Sequence, residues 1–135
     1  MAAIHKIEFW IGMLTPLSCF LAPLSLYFGW TDGLTIPPGH VLFSFFGYGF
    51  VPFVLAVPVA VSAGFHSSKN SSLLLITVVV TAIAFAGVQT FISFYALLFA
   101  GLFVAFYFSI PAVMAIAAIA IAILGHMNSS REKEL

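Results

Sequence analysis

Between Leu73 and Gly125 the chain runs for 53 residues without one Asp, Glu, Lys, Arg or His. A bilayer's hydrocarbon core is ~30 Å thick, and a helix rising ~1.5 Å per residue crosses it in ~20 residues. One helix over the whole stretch would be far too long. Two crossings with a turn between them are therefore expected. Leaving ~20 residues to each crossing puts the turn within Ser93–Phe103. Leu98–Leu102 is the preferred place, with Gly101 as the helix-stopping residue. Ser109 followed by Pro111 offers a later start. That start leaves too short a final crossing, so Pro111 is expected inside the last helix.

Composition decides the solvent. The chain is 63% hydrophobic and 6% charged, where a soluble domain carries ~25% charged residues. So few charges do not cover a water-facing surface. Long apolar runs holding prolines also favour helices over barrel strands, which alternate in polarity.

Two further apolar runs precede the long one. Phe9–Trp30 follows a short mixed start bearing His5, Lys6 and Glu8. Leu17-Ser18-Cys19 is a weak form of a lipoprotein cleavage box, with Pro16 and Phe20 as poor neighbours. The run is long for a signal sequence and reads as a first span. Trp10 near one end, and Tyr27 and Trp30 near the other, fit interfacial aromatic belts. Thr31–His40 carries Asp-Gly and Pro-Pro-Gly turn chemistry. Val41–Gly64 is the second span, Phe-rich in its first half. Phe65–Ser72 is a short polar loop, with Ser71 or Ser72 as N-cap of the next helix.

The expected fold is an all-α integral membrane protein. It has four transmembrane helices, at about 9–30, 41–64, 73–97 and 102–125, in an antiparallel bundle. Residues 1–135 form a single transmembrane domain, with 126–135 a short polar cytoplasmic tail. With four spans, Lys6, Lys69, Arg131 and Lys133 all fall on one side. The positive-inside rule makes that side cytoplasmic, N-in and C-in. A bacterial inner membrane is the first expected location and the endoplasmic reticulum the second. Asn70-Ser71-Ser72 and Asn128-Ser129-Ser130 match the glycosylation pattern, but on the cytoplasmic side they are expected to stay unmodified.

Helices in lipid associate through small residues. Each span offers a stripe of them: Gly12, Thr15, Cys19, Ala22 and Gly29; Gly49, Ala56, Ala60 and Ala63; Ala82, Ala86, Gln89, Ser93 and Ala96; Gly101, Ala105, Ser109, Ala112, Ala115, Ala118 and Ala122. Prolines 16, 23, 52, 58 and 111 interrupt three spans. Each removes a donor and frees a carbonyl one turn earlier, which in lipid needs a partner. Ser and Thr of neighbouring helices are the expected donors. The prolines read as kinks rather than as a transport site.

Candidate chemistry is sparse. Gln89 is the most polar side chain within the long stretch, expected to bond a neighbouring helix or a freed carbonyl. The four histidines, His5, His40, His66 and His126, lie outside the expected spans. His5, His66 and His126 share the expected cytoplasmic side, but their spacing matches no metal-ligand motif. They read as interfacial, with no metal and no cofactor expected. Asp32 and His40 have no nucleophile or oxyanion feature beside them. Cys19 reads as a small packing residue. A neutral formal net charge leaves no nucleic-acid footprint. No Asp, Glu, Lys or Arg lies within an expected span, which disfavours proton relays and voltage sensing.

No motif specifies a family. The expected function is a small accessory, regulatory or immunity-type subunit, not an enzyme, that binds another membrane protein within the bilayer. Its partners are the lipid bilayer and another integral membrane protein or copies of itself. The reason is the apolar turn near Leu98–Leu102, crowded by Phe94, Tyr95, Phe99, Phe103, Phe106, Tyr107 and Phe108. So large an apolar patch suggests a covering partner. Gln89, Ser93, Phe99, Phe103 and Tyr107 are the expected packing or partner contacts. The alternative is a homo-oligomeric channel or transporter for a small neutral solute.

Overall fold

The computed structural model describes residues 2–27, 45–99 and 102–134, and these are almost entirely helical, without a strand. Helix α1 (Ala2–Ser18) leads into the short α2 (Leu21–Tyr27). A π-helical turn, Phe45–Phe50, runs into α3 (Val51–Lys69). Helices α4 (Ser72–Phe99) and α5 (Leu102–Glu134) complete the described chain. Among the described residues, three segments, Gly47–Lys69, Ser72–Leu98 and Leu102–Ser129, are long and apolar enough to cross a membrane.

The first rod begins earlier than expected and is not continuous. Helical geometry starts at Ala2, and the chain departs from it at Cys19 and Phe20. Pro23 has no N–H to give Cys19's carbonyl, and its ring crowds that carbonyl. The turn tightens there: Cys19 N–H bonds the Pro16 carbonyl at 3.1 Å and Phe20 N–H the Leu17 carbonyl at 3.3 Å. Pro23 then falls in the first turn of α2, where a missing donor costs little. Trp30, Thr31–His40 and the first residues of the expected second span lie outside the described residues.

Two expected polar ends are helical instead. The loop Phe65–Ser72 shrinks to Asn70 and Ser71, because α3 continues to Lys69. Asn70 adopts φ 51°, and its N–H bonds the His66 carbonyl at 2.9 Å, which closes α3 as a left-handed C-cap. Ser71 then caps α4, its Oγ accepting from Leu73 N–H at 3.2 Å. The tail 126–135 continues α5 as far as Glu134. Nothing in that tail breaks a helix, so a polar sequence simply prolongs an apolar one. Ala100 and Gly101, at the expected last turn, lie outside the described residues. The helices on either side end at Phe99 and begin at Leu102, and Pro111 lies inside α5.

Neighbouring rods run antiparallel. On α4 and α5, Gln89 meets Phe108 and Ser93 meets Ala105. On α1 and α3, Glu8 meets His66 and Gly12 meets Ala63. On α3 and α4, Ser62 meets Thr81. The first rod also packs on α5, where Ala22 joins Val104 and Phe108, and Ile4 touches Gly125. The buried core is mostly alanine: Ala56, Ala63, Ala82, Ala115, Ala118 and Ala122 are fully enclosed. Small side chains let backbones approach closely, which dispersion rewards where lipid gives no hydrophobic drive. A Cβ added at Gly12 would stand 2.7 Å from Ala63 Cβ.

Interior hydroxyls mostly serve their own helices. Thr15 bonds the Ile11 carbonyl at 2.8 Å, Ser62 the Pro58 carbonyl at 2.7 Å and Thr81 the Thr77 carbonyl at 2.7 Å. Ser93 does reach across as expected, to the Ala105 carbonyl at 2.8 Å, whereas Thr15, Ser62 and Thr81 do not donate to a neighbouring helix's carbonyl. A short side chain finds the carbonyl one turn back first.

Candidate functional site

Four ionisable side chains gather where the start of α1 meets the ends of α3 and α5. His5 and Glu8 stand one turn apart on α1. Glu8 and His66 are both fully buried, and Glu8 Oε1 lies 2.5 Å from His66 Nδ1. On the far side of the same ring, His66 Nε2 lies 3.4 Å from His126 Nδ1, and the two imidazoles stack at 5.6 Å. His5 Nε2 lies 3.2 Å from Ser129 Oγ. The other carboxylate oxygen, Glu8 Oε2, faces His5 Nδ1 at 3.9 Å, too long for a hydrogen bond. Both of those atoms are buried and have no hydrogen-bond partner.

Burial pushes the Glu8 carboxyl up to about 7, against lowering pulls from His5 and His126. With Glu8 ionised, His66 donates from Nδ1 and its Nε2 accepts from His126. The arrangement can therefore hold a proton at several neighbouring atoms near neutral pH. Among the described residues, no group of three His, Cys, Asp or Glu side chains is placed to hold a metal ion.

From the sequence these histidines read as interfacial and separate, and Glu8 has no role. The structure encloses Glu8 and His66 and joins them to His5 and His126. A signal was present. The α1 stripe of Gly12, Thr15, Cys19 and Ala22, carried back at the same spacing, passes through Glu8 and His5. The α3 stripe reaches His66 one turn after Ala63, and the α5 stripe reaches His126 one turn after Ala122. Treating Glu8 as the edge of a span hides this.

The opposite end holds the residues that the sequence singles out. Gln89 is buried, and its Nε2 donates to the Phe108 carbonyl at 2.9 Å, in the turn just before Pro111. Ser93 Oγ donates to the Ala105 carbonyl at 2.8 Å. Phe103 is exposed, and the half-buried Tyr107 packs beside Ala22, Val104 and Phe108. The Phe99 side chain lies outside the described residues, as do Asp32 and His40. Cys19 is buried in the main core cluster. Around the hairpin tip, Phe91, Phe94, Leu98, Leu102, Phe103 and Phe106 are all exposed, Leu102 at 70%.

No protein-family model, curated protein or solved structure matches this chain.

Proposed function

We propose that the chain is a four-span, N-in and C-in antiparallel bundle, and that it serves as a non-catalytic accessory subunit of another integral membrane protein. The pairing of α1 with the ends of α3 and α5 supports the topology. It gathers Lys6, Lys69 and Arg131 at one end, as the positive-inside rule requires of a cytoplasmic face. On this reading the first span starts at about Phe9, after Glu8, and runs on through α2, bent at Cys19–Phe20.

One observation carries the binding role. Helix α4 has 28 residues, roughly 42 Å at ~1.5 Å per residue, against a hydrocarbon core of ~30 Å. The excess takes the helix beyond the oil or forces a tilt. The tip of the α4–α5 hairpin exposes Phe94, Leu98, Leu102 and Phe103 instead of the polar side chains that water or headgroups would favour. A partner's apolar surface suits that tip.

The homo-oligomeric channel has weaker support, because most interior donors bond carbonyls, although Gln89 Oε1 is buried without a partner. The Gln89 and Thr81 side chains bond backbone, and the groove lined by Leu55, Pro58, Thr81, Ala84, Phe85 and Val88 is almost wholly apolar.

Native mass spectrometry of the gently solubilised full chain tests both readings. The expected result is a complex with a distinct membrane protein, lost on Leu98→Ser with Phe103→Ser while the bundle stays helical. A stable lone monomer overturns the binding role. A homo-oligomer that passes neutral solutes in liposomes replaces it with the channel.

A further inference from the structure

We propose that His5, Glu8, His66 and His126 form a proton-operated latch, which holds one shared proton while the first turns of α1 are docked on α3 and α5 and releases it when they loosen. The latch is independent of the partner-binding role and uses the opposite end of the molecule.

Glu8 Oε1 is satisfied by His66, but Glu8 Oε2 and His5 Nδ1 face each other unpartnered, 3.9 Å apart in a buried place. A proton on His5 turns this gap into an ion pair that a small shift closes to a charge-assisted hydrogen bond. A proton on Glu8 or His66 instead neutralises or compensates the same carboxylate. With Glu8 ionised and every imidazole neutral, the enclosed carboxylate keeps its bond from His66 at Oε1 but has neither a donor at Oε2 nor a compensating charge, a costly state that loosening and hydration relieve. Only N–H or O–H bonds to the shared proton change, and the released proton passes to bulk water.

The surroundings are simple. Helix α1 presents His5 and Glu8, α3 presents His66, and α5 presents His126 and Ser129. Helix α4 brings no titratable side chain to this end. Lys6, Lys69 and Arg131 are exposed, and the side chains of residues 132–135 lie outside the described set. The group does not continue as a proton path. The next polar side chains inward, Thr15 and Ser62, bond carbonyls of their own helices. A proton therefore enters and leaves at the cation-bearing end. Tight docking makes the device sensitive, since a Cβ at Gly125 would lie 2.9 Å from Ile4 Cγ2 and 3.5 Å from the His5 ring.

Hydrogen–deuterium exchange of the full chain in lipid nanodiscs reads the latch, at about pH 6 and about pH 8.5 and corrected for intrinsic exchange rates. The expected result is exchange over Ile4–Gly12 at least about tenfold faster at the higher pH, with Val78–Gln89 unchanged. Glu8→Gln, which neither charges nor loses a proton, should hold α1 docked at both. Equal exchange at the two pH values in the unaltered chain overturns the proposal, as does an undiminished pH response in Glu8→Gln. If Glu8→Gln does not fold, His5→Asn takes its place. The midpoint of loosening should then move by about half a pH unit or more, and an unmoved midpoint overturns the latch. One equivalent of a transition metal bound in the purified chain, whose removal loosens α1 at every pH, overturns it too.

Discussion

The two ends of the bundle solve opposite problems. At the end where α1, α3 and α5 meet, ionisable groups are enclosed and tied to one another across helices. At the hairpin tip of α4 and α5, polar groups are turned inward to carbonyls and the aromatic rings face outward. The contrast shows that sequence polarity does not report exposure here. Glu8 and His66 are fully buried, whereas Phe91 is 68% exposed. Lipid reverses the ordinary expectation for the rings, and helix packing reverses it for the charges.

The largest effect should separate the two ends. His66→Leu leaves Glu8 without its close partner, and breaking a buried pair this way costs about 3–5 kcal/mol. Reversible unfolding in mixed micelles near pH 8 should show a loss of that order. A loss below about 1 kcal/mol, the range of exposed pairs, sinks the claim that the cluster is enclosed.

The pH dependence should come next. Glu8 holds its proton up to about 7, above the ordinary value of 4.5. The folded state then binds more protons than the unfolded one over that window. Its contribution to stability is complete below 4.5 and is lost as pH rises through about 7. Unfolding scans across this range should slope downward, and Glu8→Gln should flatten the slope. An upward slope contradicts the raised carboxyl.

Gly12→Ala probes the close approach of α1 and α3, since the new methyl would stand 2.7 Å from Ala63 Cβ. Overpacking of this kind costs about 1–3 kcal/mol, and the same scan should show it without a change in pH slope. Gln89→Leu at the other end gives up one interhelical hydrogen bond, worth about 0.6–2 kcal/mol in a membrane. Phe103→Ala should change the chain's own stability least, by about 0.5 kcal/mol or less, while weakening the complex proposed above. Equal destabilisation by Phe103→Ala and His66→Leu would dissolve the contrast between the ends.

Much of the helical plan is legible without coordinates. The uncharged run from Leu73 to Gly125 allows little but two long helices, and most described residues of the small stripes fall on buried faces. Local signals at the ends are harder to read. Asn70 stops α3 through a left-handed backbone that its type only permits, so the expected loop is too long. Pro23 is visible, but whether it kinks or parts the first rod depends on how that rod meets its neighbours. Thr15, Ser62 and Thr81 depart from their expected partners because the nearest carbonyl lies in their own helix, whereas Ser93 reaches across.

By itself the chain determined its helical class and its long apolar helices, because hydropathy acts residue by residue. Only the tertiary structure decided that His5, Glu8, His66 and His126 are one group. Residues 58 and 60 positions apart along the chain become neighbours only through the close packing of three helix ends. That packing sets both the loss of water and the proton chemistry that follows from it.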